Sequence, residues 1–195
     1  MRRYLRHIKT HDMKKLPITE SYWIEEGRFI AGEYPGSYNP QLMRRRMDAF
    51  LEAGVNTFID LTQPHELVPY EGILKEQAKI YEVDAAYYRF AIRDHGIPSA
   101  ELMTGILNLI DENIESGRCV YVHCWGGVGR TGTVVGCYLV RHGSTNEKAL
   151  ARVDQMYKTR PANPYLSRSP ETAEQIDFVL NWWDEPQNNK KFCEG

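Results

Sequence analysis

The amino-acid sequence predicts an α/β fold in which a central, mostly parallel sheet is flanked by helices. Strand-like apolar runs alternate with helical stretches through the middle of the chain, a pattern typical of parallel strands joined by helical crossovers. The chain has 195 residues, of which 42% are hydrophobic and 26% are charged. These values suit one globular domain with a sizeable core, and no apolar run has the length of a membrane span.

Three segments are expected along the chain. Residues 1–20 are predicted to form a basic N-terminal arm, residues 21–183 the folded domain, and residues 184–195 a polar C-terminal tail. The arm is rich in Lys and Arg but is followed by no apolar core, so we expect a solvated arm rather than a secretory signal.

The first half of the domain contains a clear helix with a start and a stop signal. Asn39 is expected to cap this helix, Pro40 occupies its first position, and Gly54 lies just past its end. The other elements predicted in this half are strands at residues 22–24, 28–30, 55–61 and 87–92, and a helix at residues 72–81.

In the second half, a buried strand and a buried helix follow one another. Ser99 opens a helix with apolar residues at helical spacing, which ends near Gly117. Residues 119–123 form a short apolar strand. The helix predicted at residues 130–142 is apolar nearly all round, so we expect it to be central in the fold.

Two further helices complete the predicted fold. Ser144 and Glu147 are expected to form a capping box for a helix that ends at Tyr157. The last helix is predicted to start at Ser169 and Pro170. Its expected core face consists of Ala173, Ile176, Leu180 and Trp183.

Net charge and cysteine usage exclude several classes of function. A net charge of −2 does not favour binding to nucleic acid, and the four cysteines form no Cys-x-x-Cys pair or metal-ligand spacing with histidine. We therefore expect no disulfide framework, no metal, no cofactor, no nucleic-acid partner and no membrane partner. Free thiols indicate a reducing, cytoplasmic setting, and a monomer is expected.

A glycine-rich turn between the strand at 119–123 and the buried helix carries the strongest functional signal. Gly126, Gly127 and Gly129 let successive backbone N–H groups point into one concavity, which would bind an anion together with the helix N-terminus. Cys124 lies at the base of this turn, where the same field favours the reactive thiolate. Arg130, six residues later, can hold two oxygens of a phosphate with its planar guanidinium.

Other interpretations of this turn fit less well. A lone cysteine is usually a small buried hydrophobic residue, and a Cys and an Arg can share this spacing by chance. A nucleotide-binding loop would end in Lys-Ser or Lys-Thr, which is absent, and a dinucleotide-binding loop would need neither Cys nor Arg. If the Cys124 sulfur carries phosphate during a reaction, the Thr131 hydroxyl is a candidate hydrogen-bond donor to that sulfur when the sulfur–phosphorus bond breaks.

The segment from His123-Cys124 to Arg130-Thr131 resembles the His-Cys-x5-Arg-Ser/Thr loop of the protein tyrosine and dual-specificity phosphatases. The resemblance extends over about residues 21–183 and is greatest to the kinase-associated-phosphatase branch and its compact bacterial relatives. It implies a cysteine-phosphatase fold, a covalent phosphocysteine intermediate, no metal and a phosphorylated protein or peptide as partner. The implied substrate-binding residues are Trp125, Gly126, Gly127, Val128, Gly129 and Arg130.

The resemblance also implies a general acid on an upstream loop. Residues 91–98 match that loop, and Asp94 within it lies thirty residues before Cys124. Asp94 is therefore the predicted acid, which would protonate the leaving oxygen and then activate water. The alternatives are that Asp94 only caps its own turn, or that Asp60 at the end of another strand is the acid.

Supporting roles are predicted for several other residues. Gln175 resembles a water-positioning glutamine of the family, with a solvated helix residue as the alternative. His123 is expected to shape the turn through hydrogen bonds, and Trp125 and Val128 to flank the pocket mouth. Arg93 either attracts a phosphopeptide or is an ordinary surface arginine.

The expected function is hydrolysis of phosphotyrosine in proteins, with phosphoserine and phosphothreonine as further substrates. No phosphotyrosine-recognition loop of the Asn-Arg-Tyr type is evident, which favours a shallower, dual-specificity cleft. No lysine lies between Cys124 and Arg130, which disfavours a polyanionic inositol headgroup. The alternatives are a phosphoinositide or small-molecule phosphatase and a module that only binds phosphorylated partners.

Overall fold

A computed structural model describes residues 15–161 and 167–183 of the chain. The predicted C-terminal tail and most of the predicted basic arm lie outside these residues. The described elements, in chain order, are β1 Ser21–Glu25, β2 Phe29–Gly32, α1 Pro40–Glu52, β3 Thr57–Asp60, α2 Glu71–Ile80, β4 Ala86–Arg89, α3 Ala100–Glu115, β5 Val120–His123, α4 Gly129–Arg141, α5 Asn146–Tyr157 and α6 Ala173–Leu180.

The five strands form one sheet in the order β1-β2-β5-β3-β4. Only the β1–β2 pair is antiparallel, and the other three pairs are parallel, so the predicted mostly parallel sheet is confirmed. Helices α1 and α2 pack on one face, and α3 to α6 pack on the other. Because β5 is the central strand, its carboxyl end opens at the middle of the sheet, where ligands bind in α/β folds.

The start and stop signals of α1 and α3 act as predicted. The Asn39 side chain accepts hydrogen bonds from the first-turn backbone of α1, and the Ser99 side chain does the same for α3. Gly54 and Gly117 follow these helices with φ of 88° and 80°, a left-handed conformation that glycine adopts without strain. Among the helices that the structure describes, none combines the length and apolar character needed to cross a bilayer.

The predicted capping box of α5 is wrong. Thr145 is the cap, and its side chain accepts a hydrogen bond from the Lys148 backbone. The Ser144 backbone N–H instead donates to the carbonyl of Leu139 and closes the end of α4. The start of α5 therefore lies one position later than predicted, and Glu147 has no capping-box partner at Ser144.

The start and the buried face of α6 also differ from the prediction. The helix begins at Ala173, after Thr172 and Gln175 form a capping box, rather than at Ser169. Trp183 lies beyond the helix end and is 71% exposed. Of the predicted core residues, Ala173 and Leu180 are exposed, Ile176 is half-buried, and the buried side chains are instead Gln175, Val179 and Trp182.

Close packing on α4 explains this register. A Cβ atom added at Gly136 of α4 would lie 2.8 Å from Cγ1 of Val179, so α6 can approach only where α4 has no side chain. The predicted central position of α4 is confirmed, since nearly all of its residues are buried. Apolar spacing along α6 alone does not reveal this glycine opposite it.

The turn after β5 is fixed by one close backbone contact. Gly127 has φ of 66°, and a Cβ atom there would lie 2.2 Å from the carbonyl carbon and oxygen of Gly32 at the end of β2. The obstacle is backbone, so no rotation of a side chain can relieve it. The turn therefore requires glycine at position 127 on both conformational and steric grounds.

Gly127→Ala is expected to destabilise the fold by more than the roughly 1–2 kcal/mol of a left-handed alanine, because the backbone clash adds to it. The matched control is Gly105→Ala in the middle of α3, where an added Cβ meets nothing within 4 Å. That change should stabilise the protein by about 0.5–1 kcal/mol. Urea unfolding measures both, and a Gly127→Ala protein as stable as wild type would contradict the assigned backbone.

Candidate active site

The loop that joins β5 to α4, residues 124–128, forms the floor of a cleft of about 330 Å³. We refer to it as the β5–α4 loop. Cys124 is buried at its start, and Trp125 is 59% exposed at the mouth. The cleft is lined by Asp94, His95, Cys124, Trp125, Gly126, Val128, Gly129, Arg130, Glu171 and Gln175.

Most of the residues predicted from sequence lie together in this cleft. Cys124, Arg130, Asp94, Gln175 and four of the five predicted loop residues line it. Gly127, His123, Thr131 and Arg93 do not, although the first three lie in or beside the loop. The linear motif and the separate Asp94 segment therefore converge, as expected from strands whose carboxyl ends share one sheet edge.

The carbonyl groups of the β5–α4 loop are held from outside. The Trp125 carbonyl accepts from the Tyr34 backbone at 2.7 Å. The Gly126 and Gly127 carbonyls accept from the Arg160 guanidinium at 3.1 and 3.2 Å. The Val128 carbonyl accepts from the Ser169 hydroxyl at 2.8 Å.

This anchoring sets the direction of the loop amides. In a trans peptide the C=O and the following N–H point in opposite directions. The N–H groups of residues 126–129 therefore point away from Tyr34, Arg160 and Ser169. We infer that they face the cleft and form an anion-binding nest. Sequence reasoning missed Arg160, which lies in no motif, and it named Ser169 only as the start of the last helix, because both residues reach the loop through the packing of distant segments.

Arg130 is the most constrained charged residue of the site, with only 2% of its surface exposed. Its two terminal nitrogens donate to the Glu66 carboxylate at 2.9 and 2.7 Å, to the Ile92 carbonyl at 3.1 Å and to Asp94 Oδ1 at 2.9 Å. Burial alone would lower the pKa of Arg130. Its hydrogen bonds to Glu66, together with the nearby Cys124, keep that pKa above its usual value, so the guanidinium stays charged.

Glu66 is a site residue that the sequence analysis missed. It lies in the loop after β3, and its Oε2 also accepts from the Gln63 backbone at 2.9 Å. Partial burial would raise the pKa of Glu66, but the hydrogen bonds from Arg130 and Gln63 lower it. The available signal was its place after a parallel strand next to β5, at the same sheet edge as Cys124.

Asp94 lies at the rim of the cleft with 43% of its side chain exposed. Its Oδ1 accepts from Arg130, and its Oδ2 lies 3.3 Å from His95 Nδ1. The carboxylate is thus held beside the cleft but remains open to solvent.

The rival carboxylate, Asp60, is buried and does not line the cleft. Its Oδ1 accepts from the backbone and hydroxyl of Thr62, and its Oδ2 accepts from Tyr87 and Arg89. Burial would raise the pKa of Asp60, yet the hydrogen bonds, together with attraction to His123 where that ring is protonated at low pH, hold it below its usual value. A carboxylate so fully bonded is a structural anchor for the loop that carries Glu66.

His123 lies beneath the loop and is fully buried. Its Nε2 shares a 2.7 Å hydrogen bond with the Tyr70 hydroxyl, and its Nδ1 lies 3.2 Å from the Cys124 carbonyl oxygen. Burial lowers the pKa of His123 below its usual value, so the ring is neutral near pH 7. These contacts fit the predicted role in shaping the turn.

Thr131 and Gln175 are both buried beside the β5–α4 loop. The Thr131 hydroxyl makes no hydrogen bond with any described group, and its donation to the sulfur that leaves phosphorus stays a prediction. Gln175 is fully buried rather than solvated, and its Nε2 donates to the Gly96 carbonyl at 3.1 Å. No cluster of His, Cys, Asp or Glu within the described ranges could hold a metal ion.

Comparison with known families decides the identity of this arrangement. A family model described as "Tc-R-P: Polymorphic toxin system, DSP-PTPase phosphatase" matches residues 36–144, more than half of the chain. The chain belongs to this phosphatase family. The superfamily predicted from the Cys124-to-Arg130 motif, and the predicted fold, are thereby confirmed.

Individual relatives of this phosphatase agree with that assignment. The mouse protein tyrosine phosphatase domain-containing protein 1 is 26% identical over 137 residues, which cover 60% of the chain but 18% of the mouse protein. The Arabidopsis thaliana phosphatidylglycerophosphate phosphatase PTPMT1 is 34% identical over 99 residues, covering 50% of the chain and 28% of that protein. The phosphatase thus spans less than a third of either relative.

A solved structure matches over a larger share. The crystal structure of Tk-PTP in its active form has a TM-score of 0.64 and 25% identity to the phosphatase. The match covers 83% of this chain and 93% of Tk-PTP. The common architecture therefore extends over nearly the whole described domain.

Glu66→Gln is expected to lower kcat/KM of the phosphatase roughly tenfold or more, because a charge-assisted hydrogen bond worth about 1.5–3 kcal/mol no longer orients Arg130. Glu76→Gln is the matched control, since Glu76 pairs with Arg44 on the exposed surface. Hydrolysis of p-nitrophenyl phosphate provides the measurement. Equal activity of the two variants would show that the hydrogen bonds from Arg130 to Glu66 do not determine the orientation of the guanidinium.

The stability of the phosphatase is expected to fall as pH drops below about 6.5, the usual pKa of histidine. The folded state binds a proton on buried His123 less readily than the unfolded chain does, so unfolding takes up a proton in this range. The loss approaches about 1.4 kcal/mol per pH unit. The unfolding free energy, measured with urea at several pH values in this range, should depend less steeply on pH for His123→Gln. An unchanged pH dependence would refute the assignment.

Proposed function

We propose that this phosphatase hydrolyses phosphotyrosine in proteins through a phosphocysteine intermediate. The observation that supports this most strongly is that one cleft contains Cys124 at its base, Arg130 on its wall and Asp94 at its rim. Nucleophile, anion clamp and proton donor are the three groups that transfer of a phosphoryl group to sulfur requires.

In the first step, Cys124 Sγ attacks phosphorus and the bond between phosphorus and the tyrosine oxygen breaks. The electron pair of that bond stays on the leaving oxygen, which takes a proton from the Asp94 carboxyl group. The backbone amides of residues 126–129 bind the non-bridging oxygens, and so does the Arg130 guanidinium, whose Nη2 exchanges Asp94 Oδ1 for a phosphate oxygen. The product of this step is free tyrosine side chain and phosphocysteine.

In the second step, a water molecule attacks the phosphorus of phosphocysteine. The Asp94 carboxylate accepts a proton from this water, and the sulfur–phosphorus bond breaks. Inorganic phosphate leaves, Cys124 returns as thiolate, and Asp94 is again protonated. The cycle therefore balances with water as the only co-reactant.

The walls of the cleft favour an aromatic monophosphate. Trp125 offers an exposed ring at the mouth, where it can stack on the tyrosine ring, a contact worth about 0.5–1.5 kcal/mol. Of the side chains that line the cleft, Arg130 and His95 are the cationic or protonatable basic groups, against the carboxylates of Asp94 and Glu171. A second phosphate on the substrate would be repelled by these two carboxylates, because all of these groups are negatively charged.

A phospholipid monoester is the second candidate substrate. The observation in its favour is that two Arabidopsis relatives, each 34% identical, are phosphatidylglycerophosphate phosphatases. Such a headgroup also carries a single terminal phosphate, which the same loop would bind. The candidates differ in what lies beyond the phosphate, an aromatic ring in one case and a glycerol chain in the other.

A substrate panel tests the proposal: a phosphotyrosine peptide, the matched phosphoserine peptide, and vesicles containing phosphatidylglycerophosphate or PI(5)P. We expect the highest kcat/KM on the phosphotyrosine peptide and no turnover by Cys124→Ser. Higher kcat/KM on either lipid would replace the protein substrate with the second candidate. Turnover by Cys124→Ser would reject the phosphocysteine route altogether.

Asp94→Asn is expected to slow turnover of the phosphotyrosine peptide by roughly 10²–10⁴-fold, the usual contribution of a general acid. Alkylation of Cys124 by iodoacetamide should change little, because Asp94 does not form the nucleophile. Asp60→Asn is the comparison. If Asp60→Asn alone, in a folded protein, reproduced the loss, Asp60 would be the acid.

A further inference from the structure

The segment from Glu171 to Gln175 connects two parts of the cleft that are distant in sequence. Gln175 lies at the start of α6, and its Nε2 donates to the carbonyl of Gly96, two residues after Asp94. On its other side it touches the start of α4, where a Cβ atom at Gly129 would lie 2.7 Å from Gln175 Oε1. Gln175 is therefore wedged between the β5–α4 loop and the loop of residues 91–98, the Asp94 loop.

The orientation of the Gln175 amide is set by its partners. Its Oε1 accepts from the backbone N–H groups of Glu171 at 3.2 Å and Thr172 at 3.1 Å. Those two partners are donors, whereas the Gly96 carbonyl is an acceptor, so exchanging the oxygen and nitrogen of the amide would break all three hydrogen bonds. Because Gln175 is fully buried, these bonds are shielded from water.

A second contact joins the same two segments. His95 Nε2 lies 3.4 Å from Glu171 Oε1, and His95 Nδ1 lies 3.3 Å from Asp94 Oδ2. His95 is largely exposed, so this contact holds the loop less firmly than the buried amide does. The Asp94 loop is thus attached to the start of α6 at two successive residues.

We propose that Gln175 is a positioning residue that holds the Asp94 loop against the cleft, so that Asp94 can protonate the leaving oxygen. The inference rests on the proposed function. It differs from the water-positioning role expected from sequence, because two backbone amides already occupy the acceptor sites of Gln175 Oε1. That oxygen has no lone pair left to accept a hydrogen bond from an attacking water.

The two roles act on different chemical steps, which makes them separable. If the acid is no longer held in place, the first step becomes slower. The rate falls more for a substrate whose leaving oxygen is basic than for one whose leaving oxygen is stabilised. Loss of a water-positioning group slows hydrolysis of phosphocysteine, which is the same intermediate for every substrate. Phenyl phosphate has a strongly basic leaving oxygen, and p-nitrophenyl phosphate has a much less basic one.

The test compares Gln175→Met with Thr172→Val. Both variants break the capping box of α6, but only the first removes the donor to Gly96. We expect Gln175→Met to lose roughly tenfold more kcat/KM on phenyl phosphate than on p-nitrophenyl phosphate, within the usual range of general-acid effects. Thr172→Val should change both substrates equally and slightly.

A double-variant comparison gives an independent readout. In an Asp94→Asn background, Gln175→Met should cause little further loss, because the group that it positions is already absent. Gln175→Glu keeps the capping box, replaces the donor by an acceptor oxygen and adds a charge whose effect is common to both substrates, so it replaces Gln175→Met should that variant not fold. It should show the same dependence on the leaving group.

Three results would overturn the inference: equal loss on the two substrates, a burst of p-nitrophenol followed by slow turnover in Gln175→Met, and full additivity with Asp94→Asn. Each of these leaves the proposed function intact, since wild-type turnover and its loss in Cys124→Ser would still stand. A wild-type protein without turnover would instead reject the proposed function.

Discussion

The active-site architecture depends on the paired hydrogen bonds between the Arg130 guanidinium and the Glu66 carboxylate. A buried guanidinium is costly unless its donors are satisfied, and Glu66 satisfies two of them at 2.7 and 2.9 Å. The remaining contacts of Arg130 reach Ile92 and Asp94. One side chain therefore joins the first turn of α4, the loop after β3 and the Asp94 loop at the carboxyl edge of the sheet.

The conformation of the β5–α4 loop is held by residues outside the motif that contains it. Tyr34, Arg160 and Ser169 hold its carbonyl groups from three directions. The amides opposite those carbonyls therefore point away from these three residues. In the proposed function, this preorganisation would let the loop bind phosphate with little rearrangement.

Sequence reasoning named the residues that share the cleft where they lie in a recognisable segment, and it missed contacts that depend on packing. The strand–glycine–helix turn containing Cys124 and Arg130 is a continuous segment, and Asp94 lies in a recognisable loop. Glu66 and Arg160 contact the site across the fold, and only the place of Glu66 after a strand next to β5 could have indicated this. The register of α6 was wrong for the same reason: Val179 packs at Gly136, an opening in another helix that apolar spacing cannot reveal.

The contact between Gly127 and Gly32 limits how such a site can diversify. Both partners of the contact are main chain, so a larger residue at position 127 has no compensating substitution elsewhere. Trp125 projects outward and meets no comparable restriction. Within the turn, side chains of different size can therefore be accommodated at the outward-facing position of Trp125, whereas the main chain of Gly32 restricts position 127 to glycine.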